Sequence, residues 1–411
     1  MQQARRLLFV LGLVLGSLAT GGMAQAASRP HPAPVTQKAA PAKPKPAPVA
    51  AAPIRLDTPL LLVDMISGNV LYESDAGTPW HPASLTKLMT AYVTFEAIAQ
   101  GRISLDSRVT MSVKAVNEAP ARSGLPAGDA LSLQDALYVM LVKSANDVAV
   151  AIAETVGGST DAFIAEMNAT ATRLGLSRTH FNNVNGLPDE GQVTTARDLA
   201  VLAIDLRRTF PQYDPIFRTH MVMLGKVSLR TNNEMLTRFA GTTGMKTGYV
   251  CGSGLNVVVT AERDGRQLLA VVLGSTSARE RDQLAAQMLT RGFAGEFADS
   301  GKSVVNIVDD VASPPMDMKP YLCGPKAKAY VSQRLKDFPM GLRGQPSFLT
   351  DKVPPVIYAA NDLGPVGGPA VAPDAIKPTD DAQPAAGDGI DSGDPPAVQP
   401  APRSPKRLPS K

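Results

Sequence analysis

The chain has 411 residues, 44% of them hydrophobic and 19% charged, with a formal net charge of only +4. That balance supports one large or two medium folded domains and excludes a chain disordered throughout. With no run that interleaves Lys/Arg clusters with aromatic residues, the electrostatic footprint of a nucleic-acid binder is absent, and two distant cysteines with four scattered histidines offer no zinc-site pattern.

At the N-terminus, Arg5 and Arg6 precede an apolar run from Leu7 to Leu18 and the small-residue site Ala24-Gln25-Ala26. This is the pattern of a secretory signal peptide over residues 1–26, and the run is interrupted too early for the roughly 20 apolar residues of a membrane span. The expected site of action is therefore beyond the cytoplasm, in the periplasm. Residues 27–53 are almost wholly Pro, Ala and Lys, a composition that makes an extended linker and buries nothing. A folded unit is expected over 54–300 and an extension over 301–363. The Pro/Asp-rich tail of 364–411 has no amphipathic periodicity, so it reads as disordered and offers no clear membrane-anchor helix.

The folded unit opens on "PLLLVDMISGNVLYESD", two short apolar runs about Ser67-Gly68-Asn69, a β-hairpin pattern. Helical spacing then runs from Leu85 to Ile98 with Gly101 as the stop. A second helix opens at the Ser132/Asp135 capping box, and further helices are predicted near 147–156, 160–174 and 195–208. Beyond residue 220 the pattern turns to strands, two of them about Asp264-Gly265, before a last helix near 279–291. Strands at both ends with helices between them predict one sheet assembled from distant segments, beside a helical lobe.

Three short elements bear on chemistry. In "HPASLTKLMTAY", Ser84 and Lys87 stand three apart at a helix start, so they share a face. Ser84 could be a plain helix cap, and roughly one S-x-x-K arises by chance in a chain this long. It could equally be a nucleophile whose base is a lysine made less basic by burial and a neighbouring cation. Ser144-Ala145-Asn146 follows at a helix junction, and Lys246-Thr247-Gly248 lies beside a predicted strand. Each is common alone; the ordered set is not.

With those elements in that order the chain resembles the serine D-alanyl-D-alanine carboxypeptidases, the low-molecular-mass penicillin-binding proteins. The likeness covers about residues 54–295 and includes "THFNNVNGLPDEGQVTTARDLAVLA" (Thr179 to Ala203). It implies an α/β (α+β) chain of the β-lactamase/transpeptidase-like fold, an antiparallel sheet flanked by helices plus an α-helical lobe, working without a metal or other cofactor. Its partners would be peptidoglycan stem peptides, with β-lactams as covalent inhibitors. By the same likeness Ser84 attacks the carbonyl between the terminal D-alanines and Lys87 accepts its proton. Ser144 relays a proton to the leaving D-alanine, and Asn146 orients the substrate amide and Lys87. Lys246 and Thr247 hold the substrate carboxylate, Gly248 lets the peptide approach the strand, and the N–H groups of Ser84 and Tyr249 form an oxyanion hole. Arg281, favoured over Arg279 by its distance from "RGF", assists the carboxylate.

The likeness does not separate a carboxypeptidase from a D,D-endopeptidase. A β-lactamase would need a deacylating carboxylate, and no E-x-x-L-N element occurs in the helical middle; a wall-binding scaffold with a dead site is disfavoured by the intact motifs. His180, Trp80 and His81 read as structural, and "GEFADSGKS" misses phosphate-loop spacing by one residue. Cys251 and Cys323, two thiols in an oxidising compartment, are expected to pair and pin the extension near the substrate-binding strand.

Overall fold

A computed structural model describes residues 58–298 and 300–365; the expected signal peptide, the linker and the tail from residue 366 lie outside the described residues. The strands in chain order are β1 (Leu60–Asp64), β2 (Val70–Ser74), β3 (Arg108–Thr110), β4 (Ala130–Ser132), β5 (Met221–Leu224), β6 (Val227–Arg230), β7 (Thr242–Val250), β8 (Gly254–Arg263), β9 (Arg266–Ser275) and β10 (Ile357–Ala360). The helices are α1 (Lys87–Ala99), α2 (Val113–Val116), α3 (Leu133–Val142), α4 (Asn146–Gly157), α5 (Thr160–Arg173), α6 (Ala196–Thr209), α7 (Asp214–Arg218), α8 (Met235–Arg238), α9 (Ala278–Phe293), α10 (Lys319–Leu322) and α11 (Ala327–Asp337).

The main sheet has the order β2-β1-β9-β8-β7 and is antiparallel throughout, so the first two strands close onto the last three. Its central strands read as unbroken apolar runs because both faces are covered. Period-two alternation sends Leu60, Leu62, Val257, Val259 and Ala270 against Leu284 and Met288 of α9. Leu61, Val63, Val258, Leu269 and Val271 face the larger core built with α1, α3, α4 and α6. Helix α1 is the centre of that core: every residue from Lys87 to Phe95 is buried. A fully buried Leu or Phe side chain contributes about 1.5–3 kcal/mol, so α1 is held by its surroundings far more than by propensity.

The predicted helices are present with small shifts. The capping boxes at Ser132 and Thr195 are each half made: the hydroxyls accept from Asp135 N at 3.0 Å and Asp198 N at 3.0 Å. The acids themselves turn elsewhere, Asp135 to the hydroxyl of Tyr358 and Asp198 to Thr179 and Arg197. His180 is exposed and joins Val193 through its backbone.

Residues 300–365 form a strap across the rest of the described chain. It begins beside β2, where Val70 N donates to Lys302 O at 2.8 Å, and reaches the start of α6, where Thr195 Oγ1 donates to Asp309 Oδ1 at 2.9 Å. Helix α11 then docks through buried Arg334, whose guanidinium pairs with Glu280 of α9 at 2.7 Å. Removing one member of such a buried pair costs about 3–5 kcal/mol. Finally β10 adds in parallel to β5, and Tyr358 stacks on Tyr138 of α3 with centroids 3.5 Å apart. Sequence periodicity gives no hint of this path, because each stretch buries one or two residues against a surface already formed. Among the described residues no single helix is long and apolar enough to cross a membrane.

Candidate active site

The chain enters α1 through one 3₁₀ turn, Ala83–Thr86. Ala83 has φ +47°, a left-handed conformation that costs a residue with a Cβ about 1–3 kcal/mol. Its surroundings hold it there. Trp80 Nε1 donates to Ser253 O at 2.8 Å, Asn256 Nδ2 donates to His81 O at 3.1 Å, and Thr86 Oγ1 donates to Ala83 O at 2.9 Å. Trp80 and His81 thus brace the turn, as their position before Ser84 suggests. Two glycines give it room: a Cβ on Gly186 would stand 1.9 Å from Ala83 O, and one on Gly248 would stand 3.0 Å from Ser84 N. The close approach that requires glycine at 248 is to the turn that carries Ser84, whereas the family resemblance implies room there for a peptide. Neither the turn nor α1 has a side-chain cap. The hydroxyl of half-buried Ser84 instead accepts from Lys87 Nζ at 3.1 Å.

Lys87 is fully buried, and its other two bonds go to Asn146 Oδ1 at 2.7 Å and Asn185 O at 2.6 Å. Burial above all, then the charge of Lys246, pulls its pKa well below the usual 10.5; Asp147 and Glu118 act in the opposite direction. A lysine with its pKa lowered in this way is more readily neutral, and a neutral amine can accept the proton of the hydroxyl it touches.

Ser144 lies between α3 and α4 with φ +66°, and its hydroxyl accepts from Lys246 Nζ at 2.9 Å. Asn146 opens α4, with its backbone N–H on Ala121 O at 2.7 Å and its side-chain amide on Pro120 O. Lys246, Thr247 and Gly248 lie on β7, the edge strand of the sheet. Lys246 is buried and also donates to Thr247 O at 2.9 Å; burial and then Arg281 bring its pKa down to about 7. Arg281 is buried on α9, with Asp282 Oδ1 at 2.7 Å and Asn232 O at 2.9 Å as acceptors. Arg279 turns instead to the carbonyls of Phe338 and Met340 in the strap. Two hydroxyls, two buried lysines and an edge strand therefore come together, the parts needed for acyl transfer through a serine ester.

The family model described as D-alanyl-D-alanine carboxypeptidase matches residues 49–277. The chain belongs to that family. D-alanyl-D-alanine carboxypeptidase DacC of Escherichia coli strain K12 is 37% identical over 240 residues, which cover 57% of this chain and 60% of the relative. The match therefore spans less than two thirds of that relative's length. Among solved structures, penicillin binding protein 6B from Escherichia coli superposes with a TM-score of 0.56 at 33% identity, covering 60% of this chain and 80% of the other. Penicillin-Binding Protein D2 from Listeria monocytogenes, in a cefotaxime-bound form, gives 0.51 at 29% identity, covering 57% and 96%. The sheet with a helical lobe is thus the β-lactamase/transpeptidase-like fold of the family.

Several residues of the site escape a motif search in this carboxypeptidase-family chain. Asn185 and Gly186 hold Lys87 and the turn that carries Ser84, and the only signal for them is their place inside the family-like stretch at Thr179 to Ala203. Asp147, beside the S-x-N element, is buried and accepts from Ser123 N at 2.8 Å and Ser123 Oγ at 2.7 Å, tying down the 117–128 loop. At the other end of β7, Cys251 and Cys323 form a disulfide with Cα atoms 5.8 Å apart. The Tyr249 hydroxyl lies 3.5 Å from Cys323 Sγ, and Met318 N donates to Gly252 O at 2.9 Å. The strap thus grips β7 just past the K-T-G element.

Proposed function

We propose that the protein is a serine D-alanyl-D-alanine carboxypeptidase, removing the terminal D-alanine of peptidoglycan stem peptides through an acyl-enzyme on Ser84. The observation that carries this reading is the 3.1 Å contact between Ser84 Oγ and the buried Lys87 Nζ. Neutral Lys87 takes the hydroxyl proton as Ser84 Oγ bonds to the carbonyl carbon. The negative charge that develops on the carbonyl oxygen is met by the N–H groups of Ser84 and Tyr249, each such donor being worth about 10²- to 10³-fold in rate. On collapse the amine of D-alanine leaves with a proton passed through Ser144, which Lys246 polarises at 2.9 Å. Protonated Lys246, Thr247 and Arg281 hold the terminal carboxylate, and water then cleaves the ester and restores the Ser84 hydroxyl.

A β-lactam presents a strained amide at the same position, so it acylates Ser84 and leaves slowly. The N-terminal signal pattern and a disulfide both fit an exported, periplasmic protein. The test is release of D-alanine from a synthetic pentapeptide together with fluorescent-penicillin labelling of parent and Ser84→Ala proteins. Both activities should vanish in the variant while its folding stability changes by no more than about 1 kcal/mol. Labelling or release that survives the substitution overturns the reading.

A further inference from the structure

Glu118 has no part in the motif set, yet it ends close to the base. It lies on the loop that follows α2, half-buried, and its Oε2 accepts from Asn185 Nδ2 at 3.0 Å. Asn185 is itself buried and fully engaged: its carbonyl accepts from Lys87 Nζ at 2.6 Å and its Oδ1 accepts from Leu187 N at 3.0 Å. The carboxylate therefore fixes the residue that fixes the lysine. Asn185 also neighbours Gly186, which packs on Ala83 O of the nucleophile turn. One side chain on a surface loop is thus linked to both members of the Ser84–Lys87 pair.

We propose that Glu118 is a positioning residue for that pair, holding Lys87 through Asn185 and, together with Asp147, supplying negative charge that offsets the proton Lys87 takes up. The inference rests on the assignment of Ser84 as nucleophile and Lys87 as base. Three charged groups face Lys87 from the elements packed around it: Lys246 from β7, Asp147 from α4, and Glu118 from its loop. Asp147 spends its carboxylate on Ser123 and Val148 N, whereas Glu118 has the direct link to a ligand of the lysine. When Lys87 accepts a proton in a dry site, a nearby carboxylate keeps the resulting cation from being stranded. Glu118 also lines a cavity of about 270 Å³ with Asn183 and Asn185, so its own charge keeps contact with water while acting inward.

The experiment measures acylation by a chromogenic cephalosporin from about pH 5 to about pH 9 in full-length parent, Glu118→Gln and Glu118→Asp proteins. The glutamine keeps an acceptor for Asn185 but no charge, so Lys87 is more readily neutral. Its acid limb should move to lower pH, with the plateau falling up to about tenfold as the lysine becomes a weaker base. The aspartate restores the charge, and its acid limb should return toward that of the parent. Coincident profiles for parent and glutamine variant overturn the proposal, as does an aspartate limb displaced as far as the glutamine one. Acylation of parent protein that persists after Ser84→Ala would instead overturn the underlying assignment, so the two failures are distinct.

Discussion

The two buried lysines of the site are alike in position and unlike in company. Each ends on a serine hydroxyl, at 3.1 Å for Lys87 and 2.9 Å for Lys246, and burial is the first cause of a lowered pKa in both. Around Lys87 stand the cation Lys246 and, countering it, the carboxylates of Asp147 and Glu118; beside Lys246 stands the cation Arg281. A base needs surroundings that tolerate its protonated form, because it must carry a proton part of the time. A group that receives an anionic substrate is better placed in a positive field that waits for the substrate to neutralise it. In the proposed function the same amine serves two tasks, and the neighbouring charges suit each lysine to its own.

The largest way to break this contrast is Lys87→Met, which keeps the length and loses the amine. Penicillin acylation should drop by about 10³-fold or more, measured as the second-order labelling rate. Lys246→Gln should cost less in acylation, about 10²-fold, with a larger share of the loss in KM for the peptide; equal losses in both variants would erase the distinction. The pH dependence sharpens it further. As pH rises, Lys87 loses its proton and the rate climbs, with a midpoint below the usual 10.5. Lys246, with a pKa of about 7 before substrate binds, loses its charge above that pH, so KM for a free carboxylate should rise there. A KM flat across that range would remove Lys246 from carboxylate binding. The smallest effect on chemistry is expected from the double Cys251→Ser, Cys323→Ser variant, which frees the strap only on the β7 side. It should lose about 3–4 kcal/mol of stability by thermal melting and raise KM, with the β-lactam acylation rate within about threefold of the parent.

The residues assigned to the proposed reaction were legible because acyl transfer needs particular side chains at particular spacings: Ser84, Lys87, Ser144 and Lys246 stand out as letters, and the structure pairs Lys87 with Ser84 and Lys246 with Ser144. The main sheet was legible too, since β8 and β9 are long apolar runs about a turn. What stayed hidden acts through backbone or through single contacts. Asn185 serves Lys87 with its carbonyl, which every residue possesses, and Gly186 serves by having no side chain. The strap was hidden for a related reason. Met318, Phe338 and Leu349 are buried one at a time along irregular chain, so they leave no period to detect.

The order of strands in the main sheet also bears on how the protein reaches its folded state. Leu62 of β1 pairs with Ala270 of β9, so the first strand gains its second sheet neighbour only after all the helices of the lobe have been made. Until then the β1–β2 hairpin carries Leu60, Leu61, Leu62 and Val63 with one sheet edge and both faces uncovered. Contacts this distant along the chain close slowly, and apolar edges left open meanwhile attract other chains. The vulnerable moment in the life of this protein is therefore the interval before β9 arrives, and substitutions that polarise β1 would shorten its exposure only by weakening the centre of the finished sheet.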